Sequence, residues 1–258
     1  MHTVPVALVT GSSRGIGRAI AEELAEHGYA VCINYFSSAA AAEEVAHAVR
    51  QNGGIATTCQ GDVGSGTDRE RLLTHVHQEF GRLDLLVNNA GITSPGRMDL
   101  LDLTTDNWER VFSTNLKGPF FLAQQAARQM LSQIEAATIP RGTIINISSI
   151  SAYATSTNRA DYCMAKSAMQ MMTWLLADRL ANDGIWVYEV CPGIIASDMT
   201  APVQQKYDQL IEDGLTPIRR WGTGTDVARA VRHLASGEFS FTTGERPNVD
   251  GGFHIRRL

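Results

Sequence analysis

Short apolar segments alternate with longer amphipathic segments along the whole chain. The apolar runs lie at residues 6–9, 30–33, 55–59, 83–87, 143–147, 186–190 and 246–249. Helical periodicity is predicted between them at residues 16–27, 39–51, 67–80, 108–131, 160–180 and 226–235. Strands that are apolar throughout and separated by helices are typical of parallel sheets covered on both faces. The pattern predicts an α/β fold with one doubly wound, Rossmann-type parallel sheet of about seven strands and helices on both faces.

The composition of the chain argues against several classes of function. The chain has 258 residues, is 44% hydrophobic, and contains no Pro/Gly/Ser-rich linker, so we expect one dinucleotide-binding catalytic domain over residues 1–258. No apolar run approaches the roughly 20 residues that span a bilayer, which predicts a cytoplasmic protein without membrane partners. A net charge of −5 without long basic runs argues against nucleic acid as a partner. Scattered cysteines and histidines predict free thiols and no metal.

A glycine-rich turn follows the first predicted strand, where the chain reads Thr10-Gly11-Ser12-Ser13-Arg14-Gly15-Ile16-Gly17. Gly11 permits a tight turn, Gly15 lets the backbone approach a diphosphate, and Gly17 allows close packing of helix on strand. The helix that begins here offers free N–H groups to phosphates. A turn without a ligand is the plain alternative, but its place between a strand and a helix favours phosphate binding.

This spacing differs from Gly-x-Gly-x-x-Gly and resembles the cofactor signature of the short-chain dehydrogenase/reductase family. The resemblance runs from Val6 to Gly252 and includes Asp62-Val63, Asn88-Asn89-Ala90-Gly91 and the turn at Pro192-Gly193. The residues that it implies for cofactor binding are Gly11, Ser13, Arg14, Gly15, Ile16, Gly17, Asn34, Tyr35, Asp62, Val63, Asn89, Ala90, Gly91, Tyr162, Lys166, Pro192, Gly193 and Ile195.

The end of the second predicted strand bears on the choice of cofactor. NAD-dependent sites usually place an acid there for the ribose 2′-OH. Residues 34–38 contain no carboxylate, and Arg14 could meet a 2′-phosphate through charge-assisted hydrogen bonds. NADP(H) is therefore favoured over NAD(H). A solvated surface charge remains the alternative interpretation of Arg14.

Tyr162 and Lys166 carry the strongest catalytic signal. At i and i+4 their side chains share one face of a predicted helix. A solvent-facing pair is the alternative, but Ser149 stands 13 residues earlier and Asn115 lies further upstream. These four positions match the catalytic Asn–Ser–Tyr–Lys tetrad of the family. Ser148, adjacent to Ser149, should point the opposite way along the strand.

The resemblance gives each member of the tetrad a role. Tyr162 would exchange a proton with the substrate oxygen while hydride moves to or from the nicotinamide. Lys166 would bind the nicotinamide ribose and lower the pKa of Tyr162, which is about 10 for a free tyrosine. Ser149 would hold the substrate oxygen, and Asn115 would support a water-linked proton path to Lys166.

Residues 197–222 are predicted to form a lid over the substrate. Tyr207, Leu210 and Trp221 could line its pocket, although helical packing explains each as well. Tyr153 lacks a lysine at i+4 and should line the pocket or pack. The ending Val249-Asp250-Gly251-Gly252 matches the family, whose tetrameric members imply a homotetramer here.

The substrate is the least determined feature. The chain is similar to 3-ketoacyl-acyl-carrier-protein reductases, which implies reduction of a 3-ketoacyl thioester. Carrier-protein reductases place a cation at the end of the helix bearing the Tyr–Lys pair, where this chain has Asp183. Arg141 could partly compensate. A sugar, polyol or other small alcohol stays open as the substrate, and a non-catalytic dinucleotide-binding sensor is a third alternative.

Overall fold

The computed structural model describes residues 4–197, 200–201 and 204–256, and its centre is a seven-stranded parallel sheet. The strands are β1 (Val6–Val9), β2 (Ala30–Tyr35), β3 (Ile55–Gln60), β4 (Leu85–Asn88), β5 (Gly142–Ile147), β6 (Ile185–Pro192) and β7 (Asn248–Val249). Their spatial order is β3-β2-β1-β4-β5-β6-β7, and every pair is parallel. The order reverses between β1 and β4, where such sheets form a ligand crevice. The predicted fold class is confirmed.

Helices cover both faces of this sheet. They are α1 (Gly15–Glu26), α2 (Ala39–Gln51), α3 (Gly66–Phe80), α4 (Thr105–Phe112), α5 (Gly118–Glu135), α6 (Ala160–Leu180), α7 (Gln204–Glu212) and α8 (Gly224–Ala235). One apolar core joins the sheet to α3, α5 and α6, and a second joins it to α1, α2 and α8. Strands β1, β2, β4, β5 and β6 are buried along nearly their whole length, as their continuous apolar character predicted, whereas the edge strands β3 and β7 are partly exposed.

The single helix predicted over residues 108–131 is wrong. The side chain of Thr104 caps α4, which ends at Phe112, and a π-helical turn at Ser113–Lys117 separates it from α5. A π turn adds a residue without breaking the amphipathic pattern, so periodicity alone does not reveal it. The turn matters because it carries Asn115.

A ladder of buried polar side chains crosses the carboxyl ends of the central strands. Asn88 Nδ2 donates to Asn146 Oδ1 at 2.9 Å, and Asn146 Nδ2 donates to Thr173 Oγ1 of α6 at 2.9 Å. Next to them, Ser148 Oγ donates to Glu189 Oε1 at 2.5 Å. Buried polar groups are stable only when they are hydrogen-bonded, so this ladder fixes α6 against β4, β5 and β6.

The described residues also bear on partners and metals. None of their helices is both long and apolar enough to pass through a membrane. No group of three His, Cys, Asp or Glu side chains in this part of the chain could hold a metal ion. The four cysteines are free, as predicted, and three of them are buried.

Candidate active site

Backbone angles favour glycine at two positions of the glycine-rich turn, and a third position has no room for a side chain. Gly11 has φ +61° and Gly15 has φ +58°, in the left-handed region that favours glycine. A Cβ on Gly17 would lie 2.4 Å from both Asn89 Nδ2 and Gly11 O, so a side chain there would force the turn apart. A Cβ on Gly15 would meet nothing within 4 Å. The space beside Gly15 at the start of α1 is therefore open.

Two asparagine side chains hold this turn in place. Asn34 is buried at the end of β2, where Oδ1 accepts a hydrogen bond from Gly11 N at 3.0 Å and Nδ2 donates to Gly61 O at 3.0 Å. Asn89 Nδ2 donates to Thr10 O at 2.8 Å and to Gly11 O at 3.1 Å. Sequence reasoning assigned both residues to cofactor contact. Their side chains support the turn from behind.

The remaining residues expected around the adenine end divide between the surface and the interior. Arg14 is exposed and immediately precedes α1, and Tyr35 is half-buried at the last position of β2. Asp62 Oδ1 accepts a hydrogen bond from Gly64 N at 2.8 Å, which shapes the loop after β3. Val63 is buried in the core. Ser13 is buried in the turn and Ile16 packs against the core from α1.

Three members of the predicted tetrad meet at the end of β5. The Ser149 side chain lies beside the Tyr162 hydroxyl, close enough to lower the pKa of the phenol. Lys166 Nζ lies 5.8 Å from the centre of the Tyr162 ring and donates to Ile147 O at 2.8 Å. Tyr162 and Lys166 lie on one face of α6, which confirms the spacing argument, and both are buried.

Asn115, the fourth member, is fully buried in the π-helical turn. Its Oδ1 accepts from Ile92 N and its Nδ2 donates to Ile92 O, both at 2.8 Å. Gly91 separates it from Lys166: a Cβ there would lie 3.3 Å from Asn115 Oδ1 and 3.7 Å from Lys166 Nζ. The structure therefore brings Asn115 close to the lysine, with only a glycine backbone between them.

The alternation of Ser148 and Ser149 is as predicted. Ser148 Oγ turns to Glu189 of β6, whereas Ser149 Oγ turns to Tyr162 and also accepts from Ser151 N at 3.1 Å. Tyr153 stands apart from the tetrad, because its hydroxyl donates to Asp250 Oδ2 at 3.1 Å. Ser149 is thus the serine that faces Tyr162.

Burial dominates the electrostatics of the site. It raises the pKa of Tyr162, while the hydrogen bond with Ser149 and the positive charge of Arg159 partly lower it. It also lowers the pKa of Lys166 to about 8, against the opposing influence of Glu189 and Cys191. The direction for Tyr162 is opposite to the expected lowering by Lys166, since burial of the phenol cannot be read from the sequence.

The turn after β6 packs against the last strand. Pro192 ends β6, and Gly193 N donates to Val249 O at 2.9 Å. A Cβ on Gly193 would lie 2.6 Å from Asp250 Cα, so the Pro-Gly turn and the Val-Asp-Gly-Gly segment touch through their backbones. Ile195 is buried and forms a parallel bridge with Gly222.

That bridge closes the base of the segment predicted to be a lid, residues 197–222. Within it the structure describes α7, and Asp198, Met199, Pro202 and Val203 lie outside the described residues. Tyr207 and Trp221 pack edge to face with ring centres 6.0 Å apart. Trp221 Nε1 donates to Asp208 Oδ1 at 2.7 Å. Packing within the segment therefore accounts for both aromatic residues, and closure over a substrate stays a prediction.

The two charges considered for substrate choice lie far from the tetrad. Asp183 follows α6 at the amino end of β6 and forms an ion pair with Arg179 at 2.5 Å. Arg141 precedes β5, stacks over Trp186 at 4.7 Å and donates to Ser236 O at 3.0 Å. Within one chain Arg141 therefore does not compensate for Asp183 at the active-site mouth, because the tetrad lies at the opposite end of the sheet.

Three side chains at the site were missed by sequence reasoning. Thr10 Oγ1 accepts from Asn89 N and Ala90 N, both at 3.0 Å. Arg159 lies over the Tyr162 ring, 5.5 Å from its centre. Glu189 is buried beside Ser148. Only Glu189 had a visible signal, since a charged residue interrupts an otherwise apolar strand.

The crevice fits a dinucleotide on grounds of its own geometry. The turn is fixed from behind by Asn34 and Asn89, and Gly15 leaves its outer side free of side chains. A helix N-terminus at such a turn favours a diphosphate. Arg14 and Tyr35 lie at the rim where the adenosine ribose would bind. At the other end, Lys166 offers an ammonium group and Tyr162 a hydroxyl.

Comparison with known proteins gives a consistent result. Residues 11–254 match the family model described as enoyl-(acyl carrier protein) reductase. The 3-oxoacyl-(acyl-carrier-protein) reductase FabG of Staphylococcus aureus is 40% identical over 257 residues, covering 99% of this chain and 100% of that protein. A crystal structure of 3-oxoacyl-(acyl-carrier protein) reductase from Brucella melitensis in complex with NAD has a TM-score of 0.95 at 40% identity, with full coverage of both chains. The angucycline C-6 ketoreductase LanV with bound NADP has a TM-score of 0.86 at 32% identity, covering 96% of this chain and 95% of that one.

Proposed function

The chain belongs to the short-chain dehydrogenase/reductase family, and on that premise we propose that it is an NADP(H)-dependent reductase of 3-oxoacyl thioesters. Membership makes it an oxidoreductase that interconverts a carbonyl group and a secondary alcohol. The observation that carries the proposal is the meeting of Ser149, Tyr162 and Lys166 at the carboxyl end of β5, next to a crevice that fits a dinucleotide.

Tyr162 is the proposed proton donor in reduction. Because burial raises its pKa, its phenol is protonated at neutral pH and can donate to the carbonyl oxygen of the substrate. Ser149, hydrogen-bonded to the same hydroxyl, would orient that oxygen. When bound, the nicotinamide cofactor supplies the hydride for reduction or accepts it for oxidation. In oxidation Tyr162 would take the proton back from the alcohol.

Lys166 and Asn115 are proposed to restore the proton of Tyr162. With a pKa of about 8, Lys166 is mostly an ammonium at neutral pH but can release a proton at little cost. Asn115 fixes the backbone of Ile92 beside Gly91 and so shapes the gap through which a water chain would reach Lys166. All four roles are proposals for this chain.

The preference for NADP(H) is supported by charge. Arg14 is exposed at the start of α1, and residues 34–38 include no acid that would repel a 2′-phosphate. The two similar crystal structures contain NAD in one case and NADP in the other. We expect kcat/KM for NADPH to exceed that for NADH, and Arg14→Ala to reduce the difference by about 10-fold or more. Equal use of both cofactors by the unmodified protein would contradict this preference.

The thioester substrate is supported by the names of the relatives, two of which are 3-oxoacyl-acyl-carrier-protein reductases. A small free ketone, sugar or polyol is the second candidate. It is favoured by the ion pair between Asp183 and Arg179 only through subunit assembly, because within one chain this pair lies at the far end of α6 from Tyr162. An acidic carrier protein would instead be drawn to a free positive charge.

The deciding assay is NADPH oxidation with one 3-oxoacyl group presented on N-acetylcysteamine, coenzyme A and a carrier protein, beside a panel of ketones, sugars and polyols. Turnover of the thioesters supports the proposal. Turnover of only the other carbonyl compounds would be consistent with an oxidoreductase but would contradict the proposed thioester substrate. Cofactor binding without turnover of any compound would favour the non-catalytic sensor.

Tyr162→Phe tests the mechanism directly. Loss of the general acid should reduce kcat by about 10²–10⁴-fold and leave cofactor affinity nearly unchanged. Tyr29→Phe is the matched control, because the Tyr29 hydroxyl bonds to Ala235 O between α1 and α8, far from the tetrad. Undiminished turnover in Tyr162→Phe would refute the assignment.

We further propose that each chain is a single catalytic domain and that four chains form a homotetramer in the cytoplasm. An apolar stripe on α6 is half exposed at Met171, Trp174 and Leu175, and Phe121 on α5 adds to it. Exposed apolar patches of this kind often mark protein contacts. Four free thiols are in keeping with a reducing compartment. Light scattering of the purified protein tests the tetramer, and Trp174→Glu should shift it towards smaller species.

A further inference from the structure

Glu189 is a carboxylate buried where the fold would ordinarily place an apolar side chain. It lies in β6 opposite Asn146 of β5 and has no exposed surface. Its neighbours Val187 and Val190 pack into the two cores on opposite faces of the sheet. Since side chains alternate along a strand, Glu189 lies on the face of Val187, which is covered by α6. Lys166 belongs to that helix.

The end of β5 connects Glu189 to the catalytic residues. Three consecutive residues there each hold one partner: Ile147 O accepts from Lys166 Nζ at 2.8 Å, Ser148 Oγ donates to Glu189 Oε1 at 2.5 Å, and Ser149 bonds to the catalytic tyrosine. A shift of the carboxylate would therefore move the peptide that carries both the lysine contact and the catalytic serine.

Two positively charged side chains near Glu189 favour a negative charge at this position. Lys166 is buried, and Arg246, half-buried before β7, has an Nη1 atom that finds no acceptor among the described residues. Glu189 Oε2 likewise finds no donor there. A buried ammonium and a half-buried guanidinium without an acceptor are costly unless an ionised acid balances them. Burial raises the pKa of Glu189, whereas the hydrogen bond from Ser148 and the charges of Arg246 and Lys166 lower it, so the two cations favour the ionised carboxylate.

We propose that Glu189 is a positioning residue of the active site: as a buried carboxylate held by Ser148, it keeps Lys166 in its ammonium form and fixes the strand end that carries Ser149. Its effect on turnover rests on the proposed oxidoreductase function. Its effect on the charge of Lys166 does not.

The direction of the effect follows from the groups that face each other. Lys166 is faced by Tyr162 on its own helix and by Glu189 and Cys191 on β6, and Glu189 is faced by Ser148 and Arg246. Burial lowers the pKa of Lys166 to about 8, and Glu189 opposes this. Removing the negative charge must therefore lower the pKa of Lys166 further.

The test is to measure the pKa of Lys166 in the full-length protein without cofactor, in the wild type and in Glu189→Gln. Glutamine keeps the shape and the hydrogen bond to Ser148 but removes the charge. The chain has only three lysines, Lys117, Lys166 and Lys206, so lysine-selective ¹³C labelling gives three resonances to titrate. We expect a fall of about one pKa unit for Lys166, and no change in Glu44→Gln on the surface of α2.

A second variant separates charge from structural damage. Arg246→Gln removes a cation from the same cluster, so the pKa of Lys166 should rise by less than one unit. A fall in both variants would show a loosened site and overturn the proposal, as would an unchanged Lys166 in folded Glu189→Gln.

Kinetics provide a further check that can fail separately. In Glu189→Gln the alkaline limb of the pH profile of kcat/KM for NADPH-dependent reduction should move to lower pH by the same shift as the Lys166 titration, with little change in KM. A titration shift without the kinetic shift would overturn the positioning role. Absence of turnover in the wild type would instead contradict the proposed function and leave the titration result standing.

Discussion

Replacing Lys166 with methionine should abolish turnover and yet change the stability of the fold in a way that depends on pH. Lys166 is only 3% exposed, and burial lowers its pKa from 10.5 to about 8. Methionine has a similar length and no charge to desolvate. The energetic consequence of burying this ammonium can therefore be measured by comparing the two proteins across pH.

The magnitude follows from proton linkage. The folded pKa of Lys166 lies below its unfolded value, so between pH 8 and 10.5 the unfolded chain binds more protons, and wild-type stability from this group rises with pH there. The buried ammonium costs about 3 kcal/mol at pH 7 and about 2 kcal/mol at pH 9. The hydrogen bond to Ile147 O offsets part of this at pH 7. The difference between variant and wild type should thus fall by about 1.3 kcal/mol from pH 7 to pH 9.

Urea unfolding of both proteins at pH 7, 8 and 9 measures this difference. Lys206→Met on α7 is the matched control, because an exposed ammonium loses little solvation on folding and its removal should give a nearly constant difference. If the free energies of unfolding of Lys166→Met and wild type stay parallel over this range, Lys166 does not titrate near 8 in the folded protein. The reasoning about its charge, including the proposed role of Glu189, would then be refuted.

Two further predictions concern the cofactor crevice. Gly17→Ala should destabilise the cofactor-free protein by about 1–3 kcal/mol, because its Cβ would meet Asn89. Gly15→Ala should cost about 1 kcal/mol of backbone strain and mainly weaken NADPH binding. Thermal unfolding and cofactor titration separate the two variants, and equal losses of stability would contradict the geometry. Asn34→Asp should destabilise the fold by about 2 kcal/mol or more without improving the use of NADH, because a buried carboxylate cannot donate the hydrogen bonds of the amide. Tyr35→Asp at the rim should raise the ratio of kcat/KM for NADH to that for NADPH. The reverse ranking of the two variants would contradict this placement.

Much of the fold could be predicted because its signals are local. Continuous apolar runs mark strands that are buried on both faces, and β1, α2 and α6 have the predicted bounds. The helix over 108–131 failed for a different reason. A π turn is stabilised by what its residues contact, here the hydrogen bonds of Asn115 with Ile92, and not by a periodicity of its own.

In the candidate site, too, local features could be predicted from the sequence and features set by tertiary packing could not. The spacing of Tyr162 and Lys166 fixes a common helix face, so their meeting follows from helix geometry once α6 forms. Asn34 could be assigned to the crevice from its position at the end of β2, but not to its supporting role, since burial and the direction of a side chain depend on β3 and the turn. The sequence predicted that Lys166 and the oxidised nicotinamide lower the pKa of Tyr162, but not that burial raises it in the protein alone, because desolvation is a property of the packed site.

Asp183 lies too far from Tyr162 of its own chain to set the charge that a substrate meets. Tyr162 lies in the first turn of α6 and Asp183 lies beyond its last, which places them about 30 Å apart along the helix axis. An acid that far away cannot govern the charge at the mouth of its own active site, since exposed charges are screened within about 10 Å. Within one chain, the cations that a substrate anion would meet are instead those near the tetrad, of which Arg159 lies 5.5 Å from the Tyr162 ring. Asp183 weighs against a carrier protein only if subunit assembly brings the end of one α6 to the site of another, so the proposed tetramer and the proposed substrate must be tested together.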